Sequence, residues 1–273
     1  MAASSSTDER AIEIAGQRIS WREAGEGAPL VLLHGVGSNA GSWERQMHAF
    51  PGRRVLAWNA PGYGASSALQ PDWPDAGDYA KALAQWLDAL GLARVDLVGH
   101  SLGCLMAARF AADHPQRVAS LTLASIAAGH ARLDPQEQKR LLEGRIGDVE
   151  ALGPRGMAEK RGPRLLGPKA TPEQIRAVVE AMASVDPKGY AQAARMLSRA
   201  DIIADIARLP DSVPLQIVFG GADVITTPEA NRRVAAHAPH APVIEIPDAG
   251  HALSVDAADG FNAAIAAHLR CEQ

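Results

Sequence analysis

Ser101 stands in the pentapeptide Gly99-His-Ser-Leu-Gly103, between an apolar run and a run that favours a helix. Residues 95–98 have the length and composition of a buried strand, and residues 105–110 are strong helix formers. A strand that becomes a helix within five residues must bend sharply, and a β-carbon at either glycine would collide with the neighbouring strand or helix. We therefore predict that the Ser101 hydroxyl is exposed at the tip of a tight turn, above a helix N-terminus, and acts as a nucleophile.

A serine nucleophile needs a base to remove its proton and a carboxylate to orient that base. Asp223 follows the predicted strand Leu215–Phe219 directly, and His251 follows the predicted strand Val243–Ile246 through a short loop. In a parallel sheet both positions lie at the same edge as Ser101, and the chain order Ser, Asp, His is the one expected for a serine on such a sheet. We predict Ser101, Asp223 and His251 as the catalytic residues.

Other residues compete for two of these roles. His34 and His100 also lie at strand ends, but each is part of a glycine motif, where we predict a structural role rather than a role as the base. Asp211 precedes its strand, and Asp248 is too close to the histidine along one loop to orient it easily. An acid could also stand after the strand that precedes Leu215–Phe219 in the chain, but that position has Ser125, which cannot serve as a carboxylate.

Acyl transfer also requires hydrogen-bond donors for an oxyanion. The backbone N–H of Leu102, at the helix N-terminus, is one candidate. The second is expected in the loop His34-Gly-Val-Gly37, from Val36 or alternatively from Gly37, although these glycines could also form only a turn. The predicted substrate contacts are Gly35, Gly37, His100 and Tyr190.

The bulk composition limits the range of partners. The chain has 273 residues, 47% of them hydrophobic, and a net charge of −4 without a basic block, which disfavours nucleic acid and anionic membranes as partners. The two cysteines do not form a disulfide framework, residues 1–8 are polar and lack the apolar core of a signal peptide, and no run approaches the roughly 18 apolar residues of a membrane span. We expect a cytoplasmic monomer or homodimer that acts on a small molecule. No His/Cys cluster or phosphate-binding loop is apparent, so neither a metal nor an organic cofactor is expected.

The remaining pattern predicts how these residues are positioned. Apolar runs alternate with helical segments, as in a mostly parallel, eight-stranded α/β sheet with helices on both faces. Between residues 126 and 208 the strand-like runs vanish, and four helices are predicted instead. They are Leu133–Glu143, Val149–Arg161, Pro172–Met182 and Gly189–Ile206. We predict an α/β core of residues 1–126 and 208–273, with a helical cap of residues 127–207 whose Met157, Met182, Tyr190, Met196 and Leu197 are candidate pocket walls or cap core.

These motifs together resemble the α/β-hydrolase superfamily over nearly the whole chain. The resemblance rests on Leu32-Leu-His-Gly-Val-Gly37, Pro61-Gly-Tyr-Gly64, Gly99-His-Ser-Leu-Gly103, Gly221-Ala-Asp223 with Pro228, and Gly250-His251. The cap stretches Gly156-Met-Ala158, Asp186-Pro-Lys-Gly-Tyr190 and Ser198-Arg-Ala-Asp201 look like the 3-oxoadipate enol-lactonase-like branch. Asn59 stands where the family usually has Asp, and Cys104 replaces a usual glycine, which could narrow the space behind the serine.

The resemblance implies a serine hydrolase that cleaves an ester or lactone of a small organic acid. A C–C bond hydrolase of a meta-cleavage product of aromatic degradation is the alternative, although that branch often carries Trp after the catalytic histidine, where this chain has Ala252. A third interpretation is a ligand-binding relative with a vestigial site, which an intact set of catalytic residues disfavours.

Overall fold

A computed structural model of the chain describes residues 9–270. Residues 1–8 and Cys271 therefore lie outside the described residues. Eight strands form one sheet: β1 (Arg10–Ile14), β2 (Gln17–Ala24), β3 (Ala28–Leu33), β4 (Arg53–Trp58), β5 (Val95–His100), β6 (Val118–Ala124), β7 (Leu215–Gly220) and β8 (Val243–Ile246).

The strands are arranged in the order β1-β2-β4-β3-β5-β6-β7-β8. Only β2 pairs in an antiparallel manner, with β1 and β4, and every other pairing is parallel. All six residues of the central strand β5 are buried, as expected for a strand covered on both faces. The predicted eight-stranded, mostly parallel sheet is confirmed, and the carboxyl ends of β3, β5, β7 and β8 share one edge.

Ten α-helices accompany the sheet in the described part of the chain. They are α1 (Glu44–Met47), α2 (Ala76–Ala89), α3 (Leu102–Asp113), α4 (Pro135–Arg161), α5 (Pro172–Ala183), α6 (Pro187–Arg199), α7 (Ile202–Ile206), α8 (Pro228–Ala235), α9 (Leu253–Asp256) and α10 (Ala258–Arg270). Helices α4 to α7 follow one another between β6 and β7, and we call this stretch the helical segment.

Two boundaries in the helical segment differ from the sequence prediction. α4 continues through Gly144 and Gly147 and is broken instead at Gly153-Pro154, where Gly153 has φ +65°. An isolated glycine costs a helix only about 1 kcal/mol, whereas proline removes a hydrogen bond and clashes with the preceding turn. The predicted helix 189–206 is two helices, because Ala200 is extended and the Asp201 side chain caps α7 by accepting hydrogen bonds from two of its backbone amides.

The helical segment shares one apolar core with the sheet. Met157, Tyr190 and Met196 belong to the same cluster of buried side chains as Leu102 and Leu105 of α3. This continuous packing fixes the segment against α3, the helix that directly follows Ser101.

Candidate active site

The turn between β5 and α3 presents Ser101 in an unusual backbone conformation. Ser101 has φ +54° and ψ −115°, a region that non-glycine residues adopt at a cost of about 1–3 kcal/mol. A β-carbon on Gly103 would lie 2.3 Å from the carbonyl oxygen of Leu33, and one on Gly99 would lie 2.6 Å from that of Gly103. The two glycines therefore allow α3 to begin directly against the sheet, as the sequence predicts.

Asp223 and His251, which are far apart in the sequence, are joined by a hydrogen bond. Asp223 follows β7, and its Oδ2 lies 2.8 Å from His251 Nδ1; both side chains are almost fully buried. A carboxylate only accepts, so Nδ1 carries the proton and Nε2 of the neutral ring is an acceptor. No hydrogen bond within residues 9–270 joins the Ser101 hydroxyl to the His251 ring, and such contacts are often long before a substrate binds.

The Asp223 carboxylate accepts hydrogen bonds from four donors. Its Oδ1 accepts from the backbone amides of Ile225 and Thr226, at 2.7 and 2.9 Å. Its Oδ2 accepts from the Thr226 hydroxyl at 2.8 Å and from His251. Burial favours a higher pKa for Asp223, but the bonds from His251 and the amides outweigh it and hold the pKa below the usual value. Asp223 is therefore an ionised, rigidly held partner for His251.

Thr226 was not found by the sequence analysis. Its hydroxyl oxygen lies 3.1 Å from His251 Nδ1 in addition to its bond with Asp223, so it contacts both members of the pair. The only sequence signal is local: an Asp at a strand end followed three residues later by a Thr is typical of a turn stabilised by the Asp side chain.

Two buried side chains hold the loop after β3. His34 Nδ1–H donates to the Gly35 carbonyl at 2.8 Å, while its Nε2 accepts from Ala60 N–H. The Tyr63 hydroxyl donates to the Val36 carbonyl at 2.8 Å. Because C=O and N–H point in opposite directions across a trans peptide, the bond to Gly35 directs the Val36 N–H away from His34. Both peptides of the predicted oxyanion loop are thus fixed in orientation.

His100 is in direct contact with the loop that carries His251. Its Nε2 lies 2.7 Å from the backbone oxygen of His251, and the two rings are 5.0 Å apart. Burial, above all, lowers the pKa of His100 to about 3, and burial likewise lowers the pKa of His34 to about 4. Both rings are neutral near pH 7.

A cavity of about 980 Å³ opens at the carboxyl edge of the sheet. Ser101 and His251 line it, and so do Val36 and all four predicted substrate contacts: Gly35, Gly37, His100 and Tyr190. Asp223 and Leu102 lie behind the wall. Of the other candidate wall residues Met182 lines the cavity, whereas Met157, Met196 and Leu197 are buried elsewhere and do not line it.

The two departures from the family pattern lie outside the cavity. The Cys104 thiol is buried and donates to the carbonyls of Gly99 and Ala124, so it does not border the space that Ser101 faces. The Asn59 amide accepts from Ala40 N–H and donates to Glu9 and Ser20. Both side chains organise the turns beneath the site.

The helical segment is hydrogen-bonded to the loop of His251. Ala252 N–H donates to the Leu165 carbonyl at 2.8 Å, and Gly167 N–H donates to the Asp256 carboxylate at 2.8 Å. The same carboxylate oxygen accepts from Gly250 N–H. Residues on both sides of His251 are therefore connected to the stretch between α4 and α5.

Neither a metal cluster nor a membrane helix is found in the described residues. Among residues 9–270 no three His, Cys, Asp or Glu side chains are placed to hold a metal ion. No helix within the same range is both long and apolar enough to cross a bilayer.

The family model for the α/β hydrolase fold matches residues 28–258, and the chain belongs to this family. One relative is the dihydrolipoyllysine-residue acetyltransferase component of an acetoin cleaving system from Pseudomonas putida, 32% identical over 94% of this chain and 68% of its own length. Among solved structures, a thermophilic esterase from Thermogutta terrifontis has a TM-score of 0.86 and 27% identity, with 97% of this chain and 99% of that one covered. An enol-lactonase from Burkholderia xenovorans has a TM-score of 0.84, covering 96% of this chain and 100% of that one, and at 22% identity this likeness is one of fold.

Proposed function

We propose that this protein is a serine hydrolase that cleaves an ester or lactone of a small organic acid through an acyl-enzyme. One observation carries the proposal. The 2.8 Å bond between Asp223 and His251 orients the histidine at the wall of a cavity that Ser101 also lines. The esterase with 27% identity over nearly the full chain supports ester cleavage.

In the proposed reaction, the Ser101 hydroxyl gives its proton to His251 Nε2 and attacks the carbonyl carbon. Nδ1 already donates to Asp223, so Nε2 is the free acceptor, and the carboxylate stabilises the imidazolium that forms. The N–H groups of Val36 and Leu102 are the proposed donors to the oxyanion. His251 then protonates the leaving group and activates a water molecule that releases the acid.

We propose that residues 127–207 act as a cap that selects the acyl group. Tyr190 and Met182 supply part of the cavity wall, and Met182 Cε lies 2.6 Å from where a β-carbon on Gly37 would be. A cap side chain therefore rests directly on the proposed oxyanion loop.

Arg145 of α4 supports an organic acid as substrate. It lines the cavity and is half-buried, and its charge acts on the buried Tyr63 hydroxyl. Arg161, on the same wall, pairs with Asp148, which it shares with Lys160, whereas no carboxylate of the described chain pairs with Arg145. A guanidinium of this kind suits a substrate carboxylate.

The relative from Pseudomonas putida favours a second candidate function, transfer of the acyl group to an acceptor other than water. The same Ser101 acyl-enzyme would form, and a thiol or alcohol would replace water in the second step. Partition of the acyl group between water and an added thiol distinguishes the two reactions.

The decisive experiment is labelling and burst kinetics with an activated ester. We expect a burst equal to the enzyme concentration, an organophosphonate adduct on Ser101, and loss of several powers of ten in kcat for Ser101→Ala with the fold intact. Ser125→Ala, which removes a neighbouring buried hydroxyl, is the matched control and should still be labelled. Labelling at Ser125 instead of Ser101 would refute the assignment of the nucleophile, whereas absence of both turnover and any adduct would refute the proposal and favour a binding protein. Parallel assays with enol-lactones and with a ring-fission diketone separate lactone cleavage from C–C cleavage.

A further inference from the structure

Within the described residues, one nitrogen of the His100 ring has a hydrogen-bond partner and the other has none. Its Nε2 lies 2.7 Å from the carbonyl oxygen of His251, and a carbonyl oxygen only accepts, so Nε2 carries the ring proton. The buried ring is neutral and holds a single proton. Nδ1 is consequently a bare acceptor.

This acceptor and the nucleophile face the same small space. A β-carbon on Gly35 would lie 3.3 Å from His100 Nδ1 and 3.5 Å from Ser101 Oγ. Glycine leaves that space open, and both side chains line the cavity. His100 is only 7% exposed, and no donor from residues 9–270 reaches its Nδ1.

A lone pair at this place repels an oxyanion and attracts a proton. The Nδ1 lone pair cannot stabilise the negative charge that develops on the carbonyl oxygen during attack. That oxygen must point toward the backbone amides instead. We propose that His100 Nδ1 binds a hydroxyl or N–H donor on the acyl part of the substrate, next to the scissile carbonyl. This inference rests on the proposed function of Ser101 and specifies its substrate class.

The consequence is a preference for acyl groups that carry a donor beside the carbonyl. A neutral hydrogen bond of this kind changes kcat/KM by about tenfold, because an analogue that lacks the donor leaves Nδ1 unpaired. Methylation of the substrate hydroxyl removes the hydrogen bond but also adds bulk. The acyl group without any hydroxyl lacks the bond and adds no bulk, so it is the second comparison.

The test uses the p-nitrophenyl esters of both lactate enantiomers, O-methyl-lactate and propionate. Each kcat/KM is divided by the rate constant for hydroxide-catalysed hydrolysis of the same ester, which removes differences in intrinsic reactivity. We expect the wild-type protein to prefer one lactate enantiomer over propionate by about tenfold, and over O-methyl-lactate by at least as much. A normalised ratio of lactate to propionate near one for both enantiomers would overturn the inference.

Two variants connect the preference to the ring. His100→Phe removes both nitrogens and should abolish the ratio, whereas His100→Gln offers an N–H for the His251 carbonyl and an oxygen acceptor and should retain part of it. An unchanged ratio in His100→Phe would contradict the assignment. If that variant does not fold, as judged by circular dichroism, the wild-type ratio and the glutamine variant still decide. Failure to hydrolyse any ester overturns the proposed function itself, which is a different result from hydrolysis without preference.

Discussion

Replacement of Asp223 by asparagine tests whether this carboxylate determines which ring nitrogen of His251 carries the proton. All four partners of the carboxylate are donors, so the asparagine amide must place its NH₂ against two of them. The backbone N–H groups of Ile225 and Thr226 can only donate, so the oxygen of the asparagine side chain must stay on their side. The NH₂ then faces the Thr226 hydroxyl, which can rotate to accept, and His251 Nδ1.

His251 can accept from that NH₂ only by moving its proton to Nε2. This tautomer points a hydrogen at the serine and cannot take its proton. The corresponding change in a serine protease costs about 10⁴ in kcat, and we expect a loss of about 10³ to 10⁴ in kcat for Asp223→Asn. That factor corresponds to about 4–5.5 kcal/mol of transition-state stabilisation.

The assay is steady-state hydrolysis of an activated ester, with thermal unfolding as a check on the fold. Asp248→Asn is the matched control, because Asp248 is exposed, pairs with Lys169 at the surface and has φ +60°, which asparagine tolerates. We expect a change of less than about twofold for the control. The reasoning is wrong if Asp223→Asn retains more than a tenth of the wild-type rate, or if Asp248→Asn is the variant that loses it.

Three further perturbations probe the groups around the reacting atoms. Thr226→Val removes one donor to the Asp223 carboxylate and should lower kcat about tenfold, while Thr226→Ser keeps the donor and the rate; equal losses in both variants would mean that the hydroxyl is not the cause. Tyr63→Phe frees the Val36 carbonyl and should lower kcat with little change in KM, as measured with one activated ester; a rise in KM at constant kcat would assign Tyr63 to binding instead. The pKa of His34 falls from 6.5 to about 4 on folding, so the unfolded state binds the proton first. The free energy of unfolding should therefore decrease as the pH falls from 6.5 to 4, by up to about 3 kcal/mol, and then level off. In His34→Gln, the free energy of unfolding measured with urea should lack this dependence on pH. If the free energies of the variant and the wild-type protein fell in parallel between pH 6.5 and 4, the assignment to His34 would be wrong.

The sheet could be predicted from the sequence because its strands are short apolar runs with glycine, proline or asparagine at their ends. The runs at residues 95–98, 215–219 and 243–246 are of this kind, and all are strands in the structure. The helical segment was harder to predict, because several polar patterns there are compatible with more than one helix boundary. Gly144 and Gly147 look like breaks, yet α4 runs through both and is broken only at Gly153-Pro154, because a single glycine costs a helix little whereas proline removes a hydrogen bond.

The candidate site could be predicted where strand ends coincide with a reactive residue. Ser101, Asp223 and His251 meet this condition, and the structure brings them to one edge of the sheet. Thr226 and the orientation of the His100 ring could not be predicted, because both depend on contacts with the loop of His251, more than twenty residues away in the chain. The sequence left Leu197 as either a pocket wall or part of the cap core, because apolar character alone does not distinguish a cavity wall from the core behind it, and in the structure it is buried away from the cavity.

The hydrogen bonds between the helical segment and the loop of His251 connect two regions that we expect to open together. The amides of Gly167 and Ala252 donate across this contact, to Asp256 and Leu165, and the Gly250 amide donates to the same Asp256 oxygen from its own side. Separating the stretch between α4 and α5 from the core breaks both crossing bonds at once, so native-state hydrogen exchange should give the amides of Gly167 and Ala252 one common opening free energy. An opening on this side of the cavity would remove the bond between Leu165 and Ala252, next to His251, so the base would lose part of its support at the moment when the cavity becomes most accessible.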